Sequence, residues 1–398
     1  MAGVPAEGPR RVTPPRIGLV VNPVAGLGGR VGLKGSDGRD VQARALAMGA
    51  VPQAGERAAA ALAELRGRGA DCELLTAGGE MGAHAAQAAG WSTRTVYTPG
   101  PDSGPEDTVA AVRALRAEGV GLVLFAGGDG TARDVLDGLG QDRVMDGRPL
   151  PALGIPTGVK MHSAVFAVTP RAAGETAAAW AGGGGQARLR LRAAEVMDRD
   201  EEALRRGELT ARLYGWLTVP DLPARIQQRK SGAPAADPAA TGGIAAELAA
   251  LIPAGAPLIL GPGSTTHAVA AALGADVALT GVNAIALRDG TATVLARDAA
   301  TADLEVLIRQ GPPPCIALSP IGGQGFLLGR GNQQISPALL RAAGRDRLLV
   351  LCTEAKLAAL GGRPLLADTG DPVLNAALGG YLPVITGRGS TSPYRLTS

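Results

Sequence analysis

One run decides most of what this chain can fold into. Gly121-Leu122-Val123-Leu124-Phe125-Ala126 carries no polar side chain and feeds directly into Gly127-Gly128-Asp129-Gly130-Thr131. A strand apolar on both sides needs cover on both faces, which places it inside a parallel sheet flanked by helices. The glycines at its end let backbone approach an anion with no Cβ in the way. A helix beginning there points its free N–H groups and positive dipole end at the same spot. Asp129 then stands at the carboxyl edge of the strand, where open α/β sheets bind ligands. A carboxylate beside phosphates either holds Mg²⁺ or accepts the proton of an acceptor hydroxyl. Thr131 caps the helix or contacts a phosphate. The plainer alternative is a tight turn with Asp129 as the cap.

The rest of the first half repeats one unit: β-branched run, glycine turn, Ala/Leu/Arg helix. Strands are expected at Ile17–Val21, Cys72–Thr76 and Thr95–Tyr97, and helices over Pro52–Gly67, Met81–Ala89 and Glu106–Glu118. Strands alternating with such helices make βαβ units, so residues 16–165 are expected to form a parallel-sheet α/β nucleotide-binding domain. From about Arg188 the texture changes to long polar/apolar alternation, as in antiparallel strands with one wet face. Residues 166–345 are therefore expected as a β-rich α+β domain for the second substrate, interrupted by a Pro/Ala/Gly/Ser-rich mobile loop over 227–243. Residues 346–398 are expected to pack back on the first domain, and residues 1–15 to be a disordered tail.

Other loops add candidates for the phosphate-handling site. After the first strand comes Asn22-Pro23-Val24-Ala25-Gly26-Leu27-Gly28-Gly29, with Lys34 further on. It has neither GxGxxG nor GxxxxGK[ST] spacing. It gains weight because two glycine loops at carboxyl ends of parallel strands can face one crevice. Asn22, Gly26, Gly28, Gly29, Gly127, Gly128, Gly130 and Thr131 are assigned to phosphate or nucleotide binding. Leu153–Ile155 leads into Pro156-Thr157-Gly158-Val159-Lys160-Met161-His162, so Thr157, Gly158 and Lys160 join them, with His162 as a local hydrogen-bond partner. In the second half, Ser264, Thr265 and Thr266 open a helix after Gly261-Pro262-Gly263, which suits an anion or simple capping. Gly323, Gln324, Arg330 and Asn332 lie in a stretch too rich in glycine and amides for a core. Both groups are assigned to the acceptor.

Composition excludes several classes. Aromatic residues make up only 3% of the 398 residues, too few for stacking platforms on single-stranded nucleic acid. The net charge of +3 comes from arginines interspersed with carboxylates, a solvated surface rather than a nucleic-acid stripe. No apolar run is long enough to span a membrane. Cys72, Cys315 and Cys352 are far apart, with no CxxC and no secretory leader, which implies reduced thiols and a cytoplasmic protein.

The Gly127–Thr131 motif after a buried strand, with the Asn22–Gly29 loop upstream, resembles the superfamily of NAD kinases, diacylglycerol kinases and sphingosine kinases. The chain is most similar to its ATP-NAD kinase-like branch, through Val20–Gly38, Gly127–Asp134, Gly154–Phe166, Gly261–Thr266, Pro320–Ser336 and Leu366–Pro372. The resemblance implies a two-domain fold with the site in the cleft between domains. It also implies ATP with Mg²⁺, or polyphosphate, as donor, and NAD as acceptor, with Asp129 activating the acceptor hydroxyl. A homo-oligomer is the expected assembly. NAD kinases carry an Asn-Glu or Asn-Asp pair for the dinucleotide ribose. Here Asn283 precedes Ala284 and Asn332 precedes Gln333. Another small hydroxylated acceptor, or nucleotide sensing without turnover, therefore stays open.

Overall fold

The strand Leu122–Gly127 is buried along its whole length, because β-strands flank it on both edges and helices cover both faces. The computed structural model describes residues 14–29, 31, 39–140, 144–145, 148–157, 161–182, 189–199, 211–222, 238–288 and 291–398. Lys34, Gly158 and Lys160 lie outside them.

The first sheet is made of β1 (Arg16–Val21), β2 (Glu73–Ala77), β3 (Thr93–Tyr97), β4 (Leu122–Gly127) and, after a short hairpin β5 (Val144–Met145) and β6 (Arg148–Pro149), β7 (Ala152–Pro156). All pairings are parallel in the order β3-β2-β1-β4-β7, with Ile17 opposite Leu122 and Val123 opposite Ala152. Helices α1 (Arg39–Ala47), α2 (Ala54–Gly67), α3 (Ala83–Ala88), α4 (Pro105–Ala117), α5 (Asp129–Leu139) and α6 (Pro170–Gly182) belong to this half. The order reverses at β1 and β4, so the loops after these strands meet at the topological switch point, where doubly wound sheets bind ligands. Phe125 and Phe166 meet edge to face with centroids 5.4 Å apart, and Gly154 leaves room for them, since a Cβ there would collide with both rings. Gly154→Ala should therefore cost ~1–3 kcal/mol through overpacking, measurable by urea unfolding.

A domain boundary at 165 is not what the structure has. The helix α6 and the antiparallel arm β8 (Leu191–Arg199) with β9 (Ala211–Pro220) share the first core, with Trp180, Val196, Leu217 and Val219 buried in it. The alternation that separates this arm from the preceding strands marks a two-stranded sheet with one packed face, not a new domain.

The second sheet holds β10 (Leu258–Leu260), β11 (Asn283–Arg288), β12 (Thr291–Ala296), β13 (Cys315–Leu318), β14 (Phe326–Leu328), β15 (Leu348–Leu351), β16 (Leu365–Ala367), β17 (Gly380–Gly387) and β18 (Ser390–Thr397). Its order is β12-β11-β10-β13-β15-β17-β18-β16-β14, mixed, with β10, β13, β15 and β17 parallel. The C-terminal segment, expected against the first domain, reaches it through Asp368, which pairs with Arg57 of α2. Its strands complete this sheet, because Val350, Leu365, Val384 and Leu396 have their apolar partners in its core. A helix begins at Pro238, inside the stretch expected as a loop over 227–243, and residues 223–237 are not among those described.

The cysteines are free. Burial pushes the thiols of Cys72 and Cys352 up to about 11. At pH 8 almost none of either is thiolate, so both should label with iodoacetamide far more slowly than an exposed thiol in the same solution. No helix among the described residues is long and apolar enough to cross a membrane.

Candidate active site at the carboxyl edge of the first sheet

The loop after β1 is stapled to the loop after β4. The backbone N–H of Asn22 donates to the Ala126 carbonyl at 3.0 Å, and its Nδ2 donates to Thr131 Oγ1, also at 3.0 Å. Its Oδ1 accepts from the Val24 N–H at 3.2 Å. Asn22 and the buried Thr131 thus spend side-chain polar atoms on each other. Gly127 is required by the same contact, since a Cβ on it would run into the Thr131 side chain.

The loop after β7 closes the group. Thr157, fully buried, donates its hydroxyl to the Gly127 carbonyl at 3.0 Å. Gly26 has φ +86°, and a Cβ there would lie 2.7 Å from the Thr157 carbonyl oxygen. Gly26→Ala should therefore destabilise the loop, measurable as a lowered urea midpoint. Gly28 and Gly29 continue the turn, and a Cβ on Gly29 would lie 3.3 Å from Cβ of Gln333 in the second sheet's loops. The first glycine loop is the wall where the domains meet.

Asp129 is the first residue of α5, after Gly128 in extended conformation, with Gly130 behind it in the first turn. Its carboxylate is held by the β7 loop: Oδ1 accepts from the Ser163 N–H at 3.0 Å, and Oδ2 from the His162 N–H at 2.8 Å. The His162 ring nitrogen Nδ1 is 3.3 Å from Oδ2. Asp129 is therefore more than a helix cap. It sits with one orientation at the junction of loops from β1, β4 and β7, with its side chain 16% exposed. Oδ1 keeps a lone pair for another partner. Among the described residues no cluster of His, Cys, Asp or Glu is arranged to hold a metal, so a cation here would share Asp129 with phosphate oxygens, as Mg²⁺ commonly does.

The acceptor candidates divide. Asn332 directs its amide to its own loop, Oδ1 accepting from the Gly329 N–H at 2.9 Å and Nδ2 donating to the Leu327 carbonyl at 2.8 Å. Arg330 is 3% exposed, donates to the Val168 carbonyl at 3.0 Å and lies over the Phe326 ring. It is a seam residue, not a surface charge. Gly323 gives its carbonyl to Arg363 at 3.0 Å, and Gln324 beside it is buried. Ser264, Thr265 and Thr266 begin the helix after β10, where Thr265 Oγ1 accepts from Lys356 at 3.2 Å and Thr266 caps back to the Gly263 carbonyl at 3.0 Å. β10 and β14 are separated by six steps in the strand order, so the two groups leave the second sheet from different strands.

The N-terminal domain model of ATP-NAD kinases matches residues 17–184, and the C-terminal domain model residues 255–396. The chain belongs to the ATP-NAD kinase family. Searches of curated proteins and of solved structures find no match. The C-terminal match opens just before β10, where the second sheet starts. The N-terminal match runs through α6, in keeping with its place in the first core.

For this kinase family member the sequence also hid a recess. A cavity of about 630 Å³ lies against Pro23 and Val24 and is completed by Gly78–Met81 after β2 and Thr98–Ser103 after β3. It adjoins the glycine loop on the side away from Asp129. Gly78-Gly79-Glu80 and Pro99-Gly100-Pro101-Asp102 were the available signal: turn residues directly after strands, each run followed by a carboxylate.

Proposed function

We propose that this chain transfers the terminal phosphoryl group of ATP, or of polyphosphate, to the 2′-hydroxyl of the adenosine ribose of NAD, giving NADP. The observation that carries this reading is the Asp129 carboxylate, fixed by two backbone N–H groups where the loops of β1, β4 and β7 converge. Phosphoryl transfer asks mainly for positioning and charge stabilisation. Gly26–Gly29 and Gly127–Gly130 supply close backbone approach and the N-terminus of α5. The recess beside Pro23 and Val24 has room for the donor's nucleoside, with the phosphates crossing the glycine loop toward Asp129. Mg²⁺ fits the donor set of one carboxylate plus phosphate oxygens, and when bound it would neutralise phosphate charge. Asp129 orients the acceptor hydroxyl and takes its proton. The enzyme would work in the cytoplasm, as a homo-oligomer.

A second reading keeps the machinery and changes the acceptor to another small hydroxylated metabolite. It is favoured by Asn332, whose amide is spent on its own loop, and by Asn283, which holds the backbone at Ala278, Gly281 and Asp298. A nucleotide sensor without turnover is the third outcome of the same experiment. Purified protein with ATP, Mg²⁺ and a panel including NAD separates them. NADP supports the first, another phosphorylated product the second, and binding without product the third.

The ring of His162 is a secondary support, since its backbone N–H makes the shorter bond to Asp129. His162→Ala keeps that N–H and should lower kcat only ~2–10-fold, the net worth of about one hydrogen bond. A collapse comparable with loss of Asp129 would show that the ring itself carries the proton.

A further inference from the structure

The outermost strand of a sheet presents a row of backbone N–H and C=O groups that pair with another chain unless something guards them. The two larger sheets have four such strands, β3 and β7 in the first, β12 and β14 in the second. Three are guarded. β3 carries Arg94, ion-paired with Glu73 of β2 and with Glu118. β7 is buried throughout, and its outer side is taken up by the chain at 165–167. There the Gly154 N–H donates to the Val165 carbonyl at 3.0 Å, and the Ala167 N–H to the Gly154 carbonyl at 2.9 Å. β14 is three residues long and buried.

β12 has none of these protections. Thr291-Ala292-Thr293-Val294-Leu295-Ala296 contains no charge and no proline, and its threonines and valine suit a strand. It bonds β11 along one side, and among the described residues no strand pairs with its other side. None of its residues is buried, and Val294 is 38% and Leu295 44% exposed. As chain neighbours these two stand on opposite faces, so the rim of the sheet is apolar above and below. An uncharged, exposed edge of this length is a template for another strand, and soluble proteins seldom leave one bare.

We propose that β12 is the contact surface of a two-fold dimer, pairing antiparallel with β12 of a second copy and joining two nine-stranded sheets into one. The strand suits its own copy better than a foreign partner. Pairing about a two-fold axis uses up both edges, so assembly closes at two chains. Each end of β12 carries one arginine and one aspartate in the sequence, Arg288-Asp289 and Arg297-Asp298, so start meets end without net repulsion. Thr293 and Val294 at the middle of the strand approach their own copies, and paired threonines and β-branched side chains are favourable cross-strand neighbours. The proposal rests on the homo-oligomer of the functional reading and gives it a surface; it does not depend on which hydroxyl receives the phosphoryl group.

Sedimentation equilibrium of the full chain tests this. The parent should approach twice the chain mass as concentration rises, with slower hydrogen exchange in the β12 amides over the same range. Val294→Lys and Leu295→Lys set like charges against each other across the axis, at exposed positions where the urea midpoint should stay near the parent's. Each should raise the dimer dissociation constant about tenfold or more. Val373→Lys, at an exposed apolar position on the helix Pro372–Leu378, is the control and should leave the dimer intact. A parent that stays monomeric at every concentration overturns the dimer and the homo-oligomer together. An oligomer whose mass both β12 variants leave unchanged overturns the β12 contact alone.

Discussion

Asp129→Asn should abolish most turnover while leaving the protein folded. The substitution preserves size and leaves one oxygen to accept from one of the backbone N–H groups of His162 and Ser163. It removes the negative charge and presents an amide N–H₂ to a backbone N–H, so the loop after β7 loses one of its two ties. A positioned general base is worth ~10²–10⁴ in rate, and the charge that would hold Mg²⁺ disappears in the same step. The expected loss in kcat is therefore at least ~10²-fold, with a circular dichroism spectrum like the parent's. Triphosphate affinity without metal should change little, because the glycine backbone and the N-terminus of α5 remain. Near-normal turnover in Asp129→Asn would leave Asp129 as a loop fastener only.

Much of this centre is legible in the sequence for a physical reason. A run such as Leu122–Ala126, buried on both faces, can only be an interior parallel strand, and the loop leaving the carboxyl end of such a strand lies at the ligand edge. The same logic located β1 and its glycine loop, and β7 with Thr157. It could not tell which loop residues face a ligand and which hold one another. Asn22 and Thr131 read alike as phosphate contacts, and they turn out to bond to each other. The second half was less legible, because a polar glycine-rich loop has the same composition whether it lines a cleft or folds on itself. Asn332 bonds within its own loop, and Gly323 gives its carbonyl to Arg363. Strand order is invisible in sequence, and it is strand order that puts Ser264–Thr266 and Arg330 after different strands of the second sheet. The burial of Arg330 and its neighbour pair at the seam has no local signal, since Arg57, Arg330 and Asp368 come from distant segments.

That seam gives the largest expected effect on stability, and its charge count predicts an order as well as a size. Removing one member of a buried ion pair costs ~3–5 kcal/mol because the other charge is left uncompensated. Asp368→Asn leaves Arg57 and Arg330, both more than nine-tenths buried, with no carboxylate between them among the described residues. It should fall at the upper end of that range. Arg57→Met removes one of the two cations competing for Asp368 and keeps a side chain of similar reach in the wall of α2. Arg330, already drawn electrostatically to that carboxylate, can then take it over, so the cost should fall at or below the lower end. Arg57→Met also breaks the bond to the Pro156 carbonyl, which loosens the end of β7 next to Thr157. The milder variant for stability should therefore be the one whose turnover suffers more relative to its unfolding midpoint. Urea unfolding of both proteins beside the parent gives the order, and kcat on the same samples gives the comparison. If Arg57→Met proved the less stable of the two, Arg330 would not share Asp368, and the excess of positive charge at the seam would have to be balanced by another group.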